Sequence, residues 1–464
     1  MSLPNIDTKR IESRMKWLVE ELGPRPHQSK SGQLAGLGIQ DILTQAGWKP
    51  EHVQIHGNVV ACRGKGSTIF LAHSDTVQQS PGAVDNASGV VALLEMAEIS
   101  QAQDLCLAFP VAEELGLVGS KQMAALISKW HPDPSQIDLV VSLDLVGHGD
   151  LWVTGLSKKW THDQLNWLFD HTDLKSEYGY QVVSRVLPSR ERSDHAPFAS
   201  EGYLSLQILG RNQQGVFPNY HQPEDKNFQV EKIVDVVEVL EQIAVGESVP
   251  KTISSPAVTF NHILFPPILI YGIALLALFL SFRDLRYWKE TVFSLWKAVV
   301  TWIVAWLSIL PFVHLGLFSS SVSEMTASKI YPIDATGWWN GAYFACYVPM
   351  IIGIAMREKL KPTGSGTLLA TCFGCLFAYV DIILAVPFFL AAILGSFESY
   401  LLLIGGFYWL QASILRELSF HAILPPWLWG MLIFTILPLF VERRDRERLT
   451  LSLDDGFPFT SKNP

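Results

Sequence analysis

The chain has 464 residues, 49% of them hydrophobic and only 17% charged, with a formal net charge of −9. An ordinary soluble protein carries about a quarter charged residues, so part of this chain is not built for water. The acidic balance, with no basic run in the first 250 residues, excludes nucleic acid as a partner.

Composition changes along the chain. Residues 1–249 read as an acidic globular domain, and 250–261, with Pro and Ser, as a linker. Residues 262–441 read as a series of apolar runs rich in Trp and Phe, and 442–464 as a polar tail. The N-terminus lacks the apolar stretch of a secretory signal and reads as an amphipathic helix with Ile11, Met15, Leu18, Val19 and Leu22 on one face. A helix is expected over 32–46, then strands over 52–55 and 59–63. The continuous apolar run 68–73 predicts a strand covered on both sides, and 86–98 predicts a helix. A strand over 104–112, a helix over 120–128, a strand over 137–145 and a helix over 163–169 follow. A strand over 204–209 and a closing helix over 230–243 complete the domain. Such alternation implies an α/β sandwich around a mixed, mostly parallel sheet, whose sites form beyond the carboxyl ends of the strands. The five cysteines (Cys62, Cys106, Cys346, Cys372, Cys375) are odd in number and scattered, so no disulfide framework is expected. The Cys372 and Cys375 pair reads as small residues in a membrane helix.

Five clusters carry chemistry. His73-Ser74-Asp75, Glu113-Glu114 and Asp144 fall at expected strand ends, and Asp85-Asn86-Ala87-Ser88-Gly89 precedes an expected helix. Tyr220-His221-Gln222-Pro223-Glu224-Asp225 lies in a loop. Singly, each has a bland alternative: Asp85 as a helix N-cap, the Glu pair as a solvated strand end, His221 as a surface histidine. Asp144 sits between Leu143 and Leu145, where a carboxylate is expensive to bury without a partner such as a metal. Together they supply a ligand set for two divalent ions sharing one carboxylate, an arrangement that binds a water, lowers its pKa and holds a carbonyl oxygen. His73 is expected to ligate through one ring nitrogen, with Asp75 accepting from the other or from a neighbouring group.

With Arg192-Ser193-Asp194-His195-Ala196-Pro197-Phe198 added, these motifs occur over 70–225 in the order of a known family. The chain resembles the dizinc aminopeptidases, a family that includes bacterial leucine aminopeptidases, glutamate carboxypeptidase and glutaminyl cyclase. The resemblance implies a three-layer zinc-exopeptidase sandwich and two zinc ions. His73, Asp85 and Asp144 would hold one ion; Asp85, Glu114 and His221 would hold the other. Glu113 would be the general base, Tyr220 would stabilise the oxyanion, and Arg192 would contact the substrate. The expected activity is release of N-terminal residues from peptides. Alternatives are a carboxypeptidase, an acyltransferase of the glutaminyl cyclase type, which would bind a single zinc, and a non-catalytic peptide-binding membrane protein.

The resemblance does not reach the second half. Six apolar runs (262–282, 292–318, 338–356, 367–394, 400–415 and 422–441) are candidate transmembrane helices, making the chain a multi-pass protein of the cell membrane in contact with lipid. The run 367–394 contains Asp381 and Pro387 and is expected to be broken or tilted. Basic residues after the first and third runs place the globular half outside by the positive-inside rule, whereas those of 443–448 place it inside.

Overall fold

The computed structural model describes residues 5–53, 57–130, 133–156, 160–176, 193–211, 219–246, 248–251, 259–260, 263–264, 267–289, 291–292, 296, 360–362, 366–380, 382–394 and 441–443. Helix α1 (Thr8–Lys16) starts at Asp7, whose carboxylate accepts from the amides of Lys9 and Arg10, satisfying two of the donors left open at a helix start. It continues through a wider turn at Trp17–Leu22. Ile11, Met15, Leu18 and Val19 are buried, as their spacing predicts, whereas Leu22 is only partly so. Helix α2 (Lys30–Gln45) is capped by Ser29.

Strands β1 (Pro50–Val53), β2 (Asn58–Arg63) and β3 (Thr68–Leu71) lead to helix α3 (Ser88–Ile99). Then come β4 (Leu105–Phe109), α4 (Val118–Trp130), β5 (Leu139–Asp144) and β6 (Asp150–Leu156). Helix α5 (His162–His171), β7 (Lys175–Ser176), α6 (His195–Ser200), β8 (Ser205–Arg211) and α7 (Val230–Val245) close the domain. The eight strands form one mixed sheet in the order β1-β2-β4-β3-β5-β8-β6-β7. Its centre, β4-β3-β5-β8, is parallel, and antiparallel pairings flank it.

Side-chain alternation along the central strands supplies both outer layers. Phe70, Leu105, Leu107, Phe109, Leu139 and Val141 face the larger core, shared with α1, α2, α3, α5 and α7. Ile69, Leu71, Ala108 and Val140 face the smaller one, with Met123 of α4 and Phe198 of α6. Buried Glu95 of α3 accepts two hydrogen bonds from Arg10, at 2.5 and 2.7 Å, and fastens α1 to the stack. Parallel pairing sets the carboxyl ends of β4, β3 and β5 side by side, and these ends carry Glu113, His73 and Asp144.

One expectation is corrected. Cys62 and Cys106 form a disulfide, 44 residues apart in sequence but directly opposed on antiparallel β2 and β4, with Cα atoms 4.1 Å apart. Counting cysteines cannot reveal such a pair; the strand pairing does. The domain boundary also carries detail: Val249 is buried, the Pro250 carbonyl accepts from Gln164, and Lys251 pairs with Asp138 at 2.8 Å.

Of the six expected membrane spans, 292–318, 338–356, 400–415 and 422–441 lie almost entirely outside the described residues, as does Asp381. Run 262–282 contains helix α8 (Pro267–Ser281), 15 residues long. Run 367–394 contains α9 (Gly366–Val380) and α10 (Ile382–Leu394), with Asp381 between them outside the described residues, and α10 continues through Pro387. Among the described residues, no helix is long and apolar enough to cross a membrane.

Candidate metal centre

Each ligand candidate is placed by the sheet. His73 follows β3, where the Ser74 amide donates to the Pro110 carbonyl beyond β4. Its Nδ1 lies 3.1 Å from the Asp75 carbonyl and donates to it, so that Nε2 is the nitrogen left to ligate once it loses its proton. That Nε2 stands 3.3 Å from Asp85 Oδ1 and 3.9 Å from Asp144 Oδ1. The Asp75 carboxylate accepts from the amides of Glu113 and Glu114, at 3.1 and 3.4 Å. Asp75 therefore joins the loop after β3 to the Glu pair after β4, the neighbouring-group alternative for its role.

Asp85 is not an N-cap. It precedes α3 in a non-helical conformation, 3% exposed, and its two oxygens face the two histidines. Gly82 makes this turn with φ of +62°, and a Cβ there would come within 2.3 Å of the Asp85 carbonyl, so the loop requires glycine. The next residue, Asn86, donates to the Leu143 carbonyl at 2.7 Å and fixes the loop beside Asp144. His221, at φ of +59°, aims Nε2 at Asp85 Oδ2 (3.2 Å) and Glu114 Oε2 (2.9 Å). Its ring stacks on Tyr220 at 3.8 Å.

Two triads result: His73, Asp85 and Asp144; and Asp85, Glu114 and His221. In each, the potential ligand atoms lie within 4.8 Å of one another, and Asp85 belongs to both. Among the described residues, Glu114 Oε1 and Asp144 Oδ1 are buried without a hydrogen bond, and Asp85 Oδ2 and His221 Nε2 meet only each other and Glu114, without hydrogen-bond geometry. Buried polar atoms are rarely left so, and an imidazole with two carboxylates is a donor set that divalent cations satisfy. Glu113 belongs to neither triad. Of the expected site residues, only Arg192 is not placed; it lies outside the described residues.

The electrostatics are those of acids crowded away from water. Burial pushes Glu113 well above the usual carboxylate range, reinforced by Asp194, Asp144 and Glu114. Burial and Asp85 raise Glu114 to about 7. Asp194, 1% exposed, is raised to about 6, chiefly by burial. Burial also raises Tyr220 well above its ordinary value, so its hydroxyl stays a donor. The histidines shift the other way from what burial alone would do. Asp85 and Glu114 overcome desolvation and raise His221 to about 10, while Asp144, Asp75 and Asp85 raise His73 well above its ordinary value. The metal-free histidines are therefore cationic near neutrality, and each must lose a proton to ligate. Uptake of divalent ions near neutral pH is expected to release at least two protons per chain, two from the histidines and a further fraction from Glu114, and affinity is expected to rise with pH towards about 10. Titration calorimetry in buffers of different ionisation enthalpy reads the count; uptake without proton release contradicts it.

Sequence reasoning assigned no role to three residues. Gln207 of β8 donates to Asp144 Oδ2 at 3.3 Å. Arg25 and Asp225 are buried beneath the ligand loops and join their backbones.

Residues 58–238 match the model of Peptidase family M28. The curated relatives include aminopeptidase YwaD of Bacillus subtilis, 33% identical over 185 residues, covering 38% of this chain and 38% of that protein. A probable leucine aminopeptidase of Trichophyton verrucosum is 25% identical over 222 residues, covering 40% of this chain and 56% of that protein. The chain thus spans about two fifths to just over half of the length of these relatives. Among solved structures, BSAP, a zinc aminopeptidase from Bacillus subtilis, superposes with a TM-score of 0.40 at 15% identity, over 51% of this chain and 94% of that one.

Proposed function

We propose that residues 1–251 are a zinc-dependent aminopeptidase of peptidase family M28, releasing N-terminal residues from peptides. The observation that carries this reading is the pair of ligand triads sharing Asp85, with the buried carboxyl of Glu113 beside them and free of ligation. Zinc ions held by His73, Asp85 and Asp144, and by Asp85, Glu114 and His221, would supply Lewis acidity, polarising the scissile carbonyl and acidifying a water. Glu113 takes the proton of the attacking water and returns it to the leaving amine, a role suited to a carboxyl whose pKa lies above the usual range. Asp75 holds Glu113 through its backbone amide, and the protonated Tyr220 hydroxyl donates towards the developing oxyanion. Arg192 retains the substrate-contact role that the family resemblance implies.

Excess carboxylate supports an amino-terminal substrate. Beyond the two triads, Asp75 and Asp194 add negative charge that attracts an ammonium group, whereas a carboxypeptidase needs cationic forks for a terminal carboxylate. One peptide in three forms tests the direction: N-acetylation is expected to abolish cleavage and C-amidation to leave it nearly unchanged. The reverse pattern would make this a carboxypeptidase.

Residues 262–441 we read as a membrane anchor. Their apolar runs support this, as do the exposed Ile268, Leu269, Leu275, Phe279 and Phe282 on and beside α8, a surface suited to lipid rather than water. The Cys62–Cys106 disulfide supports an oxidising side for the catalytic half, where the basic residues after the first run also put it. Alkylation of both thiols in unreduced native protein would overturn that placement.

A further inference from the structure

Arg25 lies in the loop ahead of α2 and is 1% exposed. Among the described residues, its guanidinium donates only to backbone carbonyls: Nε to Ser74 (3.2 Å), Nη1 to Leu18 (2.8 Å), Gly23 (2.9 Å) and Pro81 (2.8 Å), and Nη2 to Gly82 (3.4 Å). Its own backbone pairs with Thr76 in both directions, the amide donating to Thr76 Oγ1 at 2.8 Å and the carbonyl accepting from the Thr76 amide at 3.2 Å. One side chain thus fastens the segment after His73 to the turn before Asp85.

Asp225, 0% exposed, holds that turn from its other end. Its Oδ1 accepts from the Val84 amide at 2.9 Å and its Oδ2 from the Asp85 amide at 3.1 Å, while its carbonyl accepts from the Ala83 amide at 3.1 Å. The Asp225 amide donates to the Gln222 carbonyl, so this carboxylate sits in the turn that begins with His221. Residues 81–85 are therefore gripped by their carbonyls at one end and their amides at the other. The gripping groups are a buried guanidinium linked to the His73 segment and a buried carboxyl group, raised to about 7 by burial, linked to the His221 turn.

We propose that Arg25 and Asp225 form a two-sided clamp that sets the Asp85 carboxylate relative to His73 and His221, and thereby the affinity of the centre for its ions. This rests on the metal reading of the two triads. Both residues are positioning residues: neither belongs to a triad. Fold stability alone does not account for the choice of side chains, because apolar groups would fill the space without the desolvation penalty of a buried guanidinium and a buried carboxyl group. Arginine suits this position because its planar fork spreads donors over five carbonyls on three segments, which a lysine ammonium with three donors cannot reach together. Burial draws Arg25 down to about 10, with Asp75, Asp225 and Asp85 opposing the fall, so it remains a cation at neutral pH.

The test uses the full chain, stripped of metal by chelation, as wild type, Arg25→Met, Arg25→Lys and Asp225→Asn. Zinc affinity is measured by competition with a chromophoric chelator, and Tm is measured on the metal-free forms. Residues that orient ligands from behind typically contribute about 10–100-fold to metal affinity. Arg25→Met and Asp225→Asn are each expected to weaken zinc binding by that factor, and Arg25→Lys to recover part of the loss. Should Arg25→Met fail to fold, the milder Arg25→Lys and Asp225→Asn carry the comparison. Unchanged zinc affinity in folded variants, with only Tm lowered, overturns the clamp and leaves a structural role. If the wild-type chain takes up no zinc, the metal reading itself falls, and the clamp with it.

Discussion

Replacing Asp85 with alanine is expected to strip the protein of both ions and abolish peptide hydrolysis. No other residue is shared between the two triads. Its Oδ1 lies 3.3 Å from His73 Nε2 and its Oδ2 3.2 Å from His221 Nε2, so a single truncation removes a ligand from each side. What remains is two separated pairs, each an imidazole with one carboxylate, against the three or more protein ligands of ordinary zinc sites. Loss of the central anion also deprives His221 of the carboxylate that raises it most. Elemental analysis of the purified variant measures the effect; two tightly held ions in Asp85→Ala would refute the bridging role.

Glu113→Gln is expected to keep its metal and lose turnover. Glu113 and Glu114 are adjacent in sequence but serve different ends. Glu114 faces His221 at 2.9 Å and belongs to a triad, whereas Glu113 belongs to none. Glutamine preserves the shape and the backbone amide that donates to Asp75, but it cannot accept a proton. General base catalysis is commonly worth about 10²–10⁴-fold, and kcat should fall by that factor with little change in metal content. Glu114→Gln should show the opposite pattern, weaker metal binding first. Near-normal turnover in Glu113→Gln would move the base to another group, and Asp194, whose pKa is raised to about 6, would be the next to replace.

Much of this arrangement is legible in the sequence. The expected strands over 68–73, 104–112 and 137–145 correspond to β3, β4 and β5, and the ligand motifs stand at their carboxyl ends as the apolar runs imply. Parallel neighbours in a sheet end together, so residues far apart in sequence converge without a dedicated signal. Strand β6 is not among the expected elements: its sequence DLWVTGL follows a turn, lacks clean alternation, and pairs antiparallel with β8 through an irregularity at Val153 and Gly155. Helix α6, six residues with a proline inside, is too short for periodicity to detect.

The clamp is illegible for a different reason. Arg25 bonds to backbone carbonyls, which any residue supplies, so no pattern of side chains announces it. Asp225 stands in a recognised motif, but its partners are amides about 140 positions away. The same holds for Cys62 and Cys106, whose pairing depends on which strands become neighbours. Asp85 shows the limit of local reasoning: its position before a helix favours a cap, and only the two facing histidines give it another use.

The most direct test of the account is the zinc content of the intact chain, loaded with zinc and then cleared of free metal by gel filtration. Two ions per chain are expected, one for each triad. A chain that retains a single ion, or none, would contradict a centre built around one shared carboxylate.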